Sequence, residues 1–131
     1  MGESNEKYIS LLPILASVEA IFLTGTFAAG IGTLLFTSFP FSSSLEADMM
    51  SLHVSFAMLS AVFGIVLFTA SMKFGDRVLK ILGSLLFAFI GIAGAGGLTF
   101  YGTLDPSFSF MMSLGFFGAY FCVIGYLFYT I

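Results

Sequence analysis

The chain has 131 residues, 59% of them hydrophobic and 8% charged, with a formal net charge of −3. A soluble domain carries about 25% charged residues, so this composition excludes a globule covered in polar surface and makes the bilayer the solvent. The single cysteine, Cys122, excludes an intramolecular disulfide, and the weak acidity gives no reason to expect a nucleic-acid partner.

Four apolar stretches follow one another, each long enough for the roughly 20 residues that a membrane span needs. The first eight residues lack a basic run, so no secretory signal is expected there. The first helix is expected at about 9–37, with Pro13 in its opening turns, where a missing N–H costs little. The second is expected at about 44–72, and Ser43 and Glu46 before it have the spacing of a capping box. The third, about 77–102, follows Gly75 and Asp76, the latter a suitable N-cap. The fourth, about 106–130, opens on Asp105 and Pro106, an N-cap followed by a proline at the first helical position. Lipid-exposed irregular backbone is excluded, and the runs are too long for barrel strands. Short connections make neighbours antiparallel, so the expected fold is an all-α, up-down-up-down four-helix transmembrane bundle forming one domain over 1–131.

The bundle reads as two helical hairpins, about 9–72 and 77–130. Met-Met-Ser-Leu occurs at 49–52 and again at 111–114. Upstream, at an offset of 64, Ala29, Gly30, Gly32, Leu34 and Phe36 match Ala93, Gly94, Gly96, Leu98 and Phe100. The loop then shortens by two residues, after which Ala57 matches Ala119 and Ser60 faces Cys122. In this alignment His53, the only histidine, falls opposite Gly115, and Glu19 opposite Gly83. His53 and Gly115 each lie nine residues after a helix start, about 13 Å in from the end.

Lys7, Lys73, Arg77 and Lys80 fall on one side of such a bundle, which is then expected to be cytoplasmic together with both termini, in a plasma or inner membrane. Small residues stripe the helices: His53, Ala57, Ser60, Gly64 and Ser71 on the second, and Gly115, Ala119 and Cys122 on the fourth. Gly25 with Ala29 and Thr26 with Gly30 do so on the first, and Gly91, Gly94, Gly96 and Gly97 on the third. Such spacing lets helix backbones approach closely.

Two ionisable groups lie deep in the spans, Glu19 and His53, and such groups are functional candidates by default. Their expected depths differ by about 13 Å, so they are read as separate sites. Glu19 is a proton-linked candidate, expected in its neutral form because a lone carboxylate is costly in hydrocarbon. His53 admits three readings: a histidine bonded to a neighbouring helix, an axial haem ligand with small residues making room for the macrocycle, or a proton-relay or metal site. Met49, Met50, Met111 and Met112 lie near its level, and thioethers suit soft metals such as Cu(I).

The whole pattern resembles one four-helix half of the haem A synthase family, in which each half places a histidine early in its second and fourth helices to hold haem. The residues carrying the resemblance are Leu23-Thr24-Gly25, Glu46 ahead of His53, Gly96-Gly97-Leu98-Thr99, and a short loop with Pro106 before the last helix. The resemblance implies His53 as the helix 2 ligand of a b-type haem. At the helix 4 position stand Gly115 and its neighbours Met112 and Ser113, and Val54 occupies the place where an arginine often follows the histidine. One-sided haem binding with an open Gly115 side, a His53/Met112 pair, or the fold alone is what the resemblance leaves. The functional expectation is a small membrane redox protein associated with a respiratory or haem-handling system. The alternatives are a non-catalytic subunit of a larger membrane complex or a self-associating protein, and a small proton-coupled transporter using Glu19.

Overall fold

A computed structural model describes residues 10–38 and 41–131. Among these residues are four helices: α1 (Leu12–Phe36), α2 (Ser44–Phe74), α3 (Arg77–Thr103) and α4 (Pro106–Thr130). All four are long and apolar enough to cross a membrane, so the chain is an all-α bundle and a multi-pass integral membrane protein. The helices form a ring. α1 packs chiefly on α2 and α3 chiefly on α4, while α2–α3 and α1–α4 contacts close the bundle.

The helix starts are chemical. Asp76 caps α3 by accepting from the Leu79 N–H at 3.0 Å, and Asp105 caps α4 by accepting from the Ser107 N–H at 2.9 Å. Ser43 caps α2, its hydroxyl accepting from the Glu46 N–H at 3.4 Å. The reciprocal arm differs from the expected capping box: the Glu46 carboxylate turns to Ser42, accepting from its N–H and hydroxyl, each at 2.7 Å. One residue further back, Ser42 offers two donors where the Ser43 backbone offers one. α1 begins at Leu12, inside the expected boundary, with Pro13 in its first turn. α3 ends on Leu104, which takes φ 57°, the left-handed conformation that usually favours glycine.

Burial is uneven along the bundle. The fully buried side chains Leu12, Ala16, Glu19, Leu67, Ser71, Leu86, Ala119, Val123 and Tyr126 gather toward one end. There the start of α1, the end of α2, the start of α3 and the end of α4 converge. Toward the opposite end, Leu34, Phe36, Leu45, Leu98 and Phe110 are exposed. At that end the buried glycines are buried within their own hairpin: a Cβ on Gly96 would lie 2.6 Å from the Met112 nitrogen, and one on Gly115 would lie 2.8 Å from the Phe89 oxygen. The α3–α4 seam is therefore backbone against backbone. The α1–α2 seam is spaced by side chains, since a Cβ on Gly25, Gly30 or Gly32 would meet Phe56, His53 or Met49.

The hairpins share one contact in exchanged form. Gly25 of α1 receives the ring of Phe56 from α2, and Gly118 of α4 receives the ring of Phe89 from α3. Residues 25 and 89 differ by 64, and 56 and 118 by 62, which are the offsets of the sequence alignment. The third small-residue stripe is divided by the fold: Gly96 packs inward, whereas Gly91 and Gly94 are exposed, and a Cβ on either would meet no side chain and no neighbouring helix within 4 Å. These two glycines therefore do not pack the bundle, contrary to the stripe's expected role.

Candidate functional site

Two polar contacts cross the α1–α2 seam. His53 Nδ1 donates to the Thr26 carbonyl at 2.8 Å. A carbonyl only accepts, so Nδ1 carries the hydrogen, and Nε2 is the acceptor in the neutral ring. Gly30, one turn beyond Thr26, leaves the space in which the imidazole lies: a Cβ there would sit 2.9 Å from Cε1 and 3.0 Å from Nδ1. His53 is half-buried and lies nine residues into α2, about 13 Å from its start.

The second contact joins Glu19 and Ser60. Glu19 is 0% exposed, and its Oε1 accepts from the Ser60 hydroxyl at 2.5 Å. Its Oε2 is buried without a hydrogen-bond partner. Glu19 precedes Thr26 by seven residues and Ser60 follows His53 by seven. The two contacts are thus rungs of one antiparallel ladder, two turns or about 10 Å apart. Each group has its own partner, and no hydrogen bond joins Glu19 to His53.

Met112 and Gly115 lie in the other hairpin. Met112 Sδ would be 3.2 Å from a Cβ on Gly97 of α3, and Gly115 meets Ala93 and Phe89 of the same helix. Their described contacts therefore face α3, while those of His53 face α1. Met49 likewise stays in the first hairpin, its methyl 2.6 Å from the Cβ position of Gly32. Among the described residues no group of three or more histidine, cysteine or carboxylate side chains is placed to hold a metal ion.

Two polar features escaped sequence reasoning. Ser60 was legible as a small stripe residue but not as the donor to Glu19. Tyr126, fully buried on α4, lies 2.8 Å from the Ser71 hydroxyl, which itself donates to the Leu67 carbonyl at 2.6 Å. A serine has one hydroxyl hydrogen, so Tyr126 is the donor to Ser71. Gly83 of α3 closes this cluster, since a Cβ there would lie 2.7 Å from Ser71 Oγ. The signal was the spacing of Tyr126 on the stripe of Gly115, Ala119 and Cys122. Outside the spans, Asp76 accepts from the Tyr129 hydroxyl and the Leu79 N–H, and these bonds hold its carboxyl below the usual aspartate range.

No family model matches the chain, and no curated protein or solved structure resembles it at a significant level.

Proposed function

We propose that this small integral membrane protein binds b-type haem through Nε2 of His53 and serves a respiratory or haem-handling system. The observation carrying this reading is the bond from Nδ1 to the Thr26 carbonyl. Metal-bound histidines donate their other ring N–H to a carbonyl or carboxylate in this way, which fixes the tautomer and turns the free nitrogen to the metal. Gly30 supports the reading by giving the imidazole its place against α1. The residues fit one axial ligand. They do not fit the His53/Met112 pair within a chain, because Met112 and Gly115 face α3. When bound, haem would supply one-electron redox chemistry; this chain's part is to hold and orient one imidazole. The lysines and arginine around the α2–α3 turn give an orientation with both termini cytoplasmic and His53 in the outer half. An absorption spectrum of the detergent-purified protein, expressed with sufficient haem, tests the reading. A Soret band lost in His53→Ala is expected; no band, or an unchanged band in the variant, overturns it.

A second reading, a non-catalytic subunit of a larger membrane complex, is favoured by the outward face of α3. Ser84, Ala88, Gly91, Ala95 and Gly102 are all exposed there at helical spacing, a surface that another helix can approach closely. A stoichiometric partner lost in Gly91→Leu would support it, and a stable monomer recovered from native membranes would count against it.

A further inference from the structure

We propose that Glu19 is an exchangeable proton site inside the bilayer: a neutral carboxylic acid at neutral pH whose Oε1 accepts from Ser60 and whose Oε2 carries the labile proton. The inference is independent of the haem reading, since Glu19 and Ser60 lie about 10 Å along the helices from His53.

An ionised carboxylate is an acceptor with about four lone-pair sites. Glu19 is 0% exposed, has one neutral donor, and leaves Oε2 buried without a partner. Charge in that environment requires compensation, and the surroundings provide none. On α1, Glu19 is the only ionisable residue between Leu12 and Phe36. On α2, Lys73 is 13 residues past Ser60, about 20 Å along the axis, and His53 is about 10 Å away and bonded to Thr26. On α3, Ile90 packs at Gly64, where a Cβ would lie 3.9 Å from Glu19 Oε1. Lys80 is ten residues before Ile90, about 15 Å along α3. On α4, the titratable groups are Tyr120, Cys122, Tyr126 and Tyr129, none of them a cation. The Tyr126 hydroxyl is committed to Ser71, the Tyr129 hydroxyl to Asp76, and the Tyr120 hydroxyl lies 3.4 Å from Thr24.

A hard cation such as Mg2+ or Ca2+ requires a shell of oxygen ligands, and the hydrogen-bond partners described for Glu19 supply only its own carboxyl and one hydroxyl. A single proton needs no shell. It adds to Oε2, cancels the charge, and breaks no other bond. Gly64 places no side chain of its own against the carboxyl, and Ile90 packs at the same point.

Infrared spectroscopy of the full chain in liposomes tests the proposal. At neutral pH the wild type is expected to show the carbonyl stretch of a protonated carboxylic acid, moving to lower frequency in D2O. Glu19→Gln removes the band, and Ser60→Ala raises its frequency because the carbonyl oxygen loses its donor. No acid band in the wild type, or a band that survives Glu19→Gln, overturns the proposal, and a band insensitive to D2O overturns the exchangeable proton. Should Glu19→Gln fail to fold, wild-type protein treated with dicyclohexylcarbodiimide and mapped by mass spectrometry provides the same decision. An adduct on Glu19 that declines as pH rises is expected; no adduct on Glu19, or one indifferent to pH, overturns the assignment.

Discussion

The Ser60 hydroxyl reaches across the α1–α2 seam to Glu19 at 2.5 Å, and the pair stands two helical turns from the contact between His53 and Thr26. Both rungs tie the same two helices, so the first hairpin is held by polar bonds that the second hairpin replaces with backbone contact.

That relationship sets the first prediction. Ser60→Ala leaves Glu19 Oε1 buried without its donor, and such a loss costs about 1–3 kcal/mol. Removing both partners relieves the penalty, so Ser60→Ala in a Glu19→Leu background is expected to be nearly neutral. Equilibrium unfolding in mixed detergent micelles measures both, as a double-mutant cycle. Equal costs in the two backgrounds would show that the hydroxyl and the carboxyl are not coupled.

Glycines test the difference between the seams. A Cβ on Gly115 would lie 2.5 Å from the Ala93 nitrogen, and backbone cannot step aside. Gly115→Ala is therefore expected to destabilise by about 1–3 kcal/mol. A Cβ on Gly94 would meet no side chain and no neighbouring helix within 4 Å, so Gly94→Ala is expected to gain about 0.5–1 kcal/mol of helix stability. The same unfolding assay ranks them. It also bears on Gly115→His, which is expected to part α3 from α4 rather than complete a ligand pair with His53.

What the sequence revealed and concealed follows from the same residues. The spans and their N-caps were legible because Ser43, Asp76 and Asp105 act on backbone a few residues away. Which neighbour each face meets was not. Membrane helices are apolar all round, so no polar face fixes their rotation. Gly91 and Gly96 look alike as small residues, yet one is exposed and the other lies against the Met112 backbone. His53 and Met112 are similar in depth, but His53 turns to α1 and Met112 to α3. The partner of Glu19 depended on that rotation too, and Ser60 became visible only once the seam was set.

Leu104 offers a local test. It holds φ 57° at the end of α3, where a side chain costs roughly 1–2 kcal/mol relative to a right-handed residue. Leu104 is exposed, so little packing is lost on replacing it. Leu104→Gly is expected to raise stability by about 1 kcal/mol, read as a higher unfolding midpoint. A lower midpoint would mean that contacts made by the leucine outweigh the backbone term.

Asp76 supplies the pH dependence. Its carboxyl accepts from the Tyr129 hydroxyl and then from the Leu79 N–H, and both favour the ionised form, holding it below the usual aspartate range. A group whose folded value is depressed contributes stability that is present above its unfolded value and lost as pH falls through its folded value. The wild type is therefore expected to weaken on acidification below the ordinary aspartate range. Asp76→Asn removes the titrating group and keeps a capping side chain, so its unfolding midpoint is expected to be lower at neutral pH and flatter toward acid. Thermal unfolding of both proteins across that acid range decides the matter. Parallel profiles would show that the tie from the α2–α3 turn to Tyr129 at the end of α4 contributes nothing to the proton linkage.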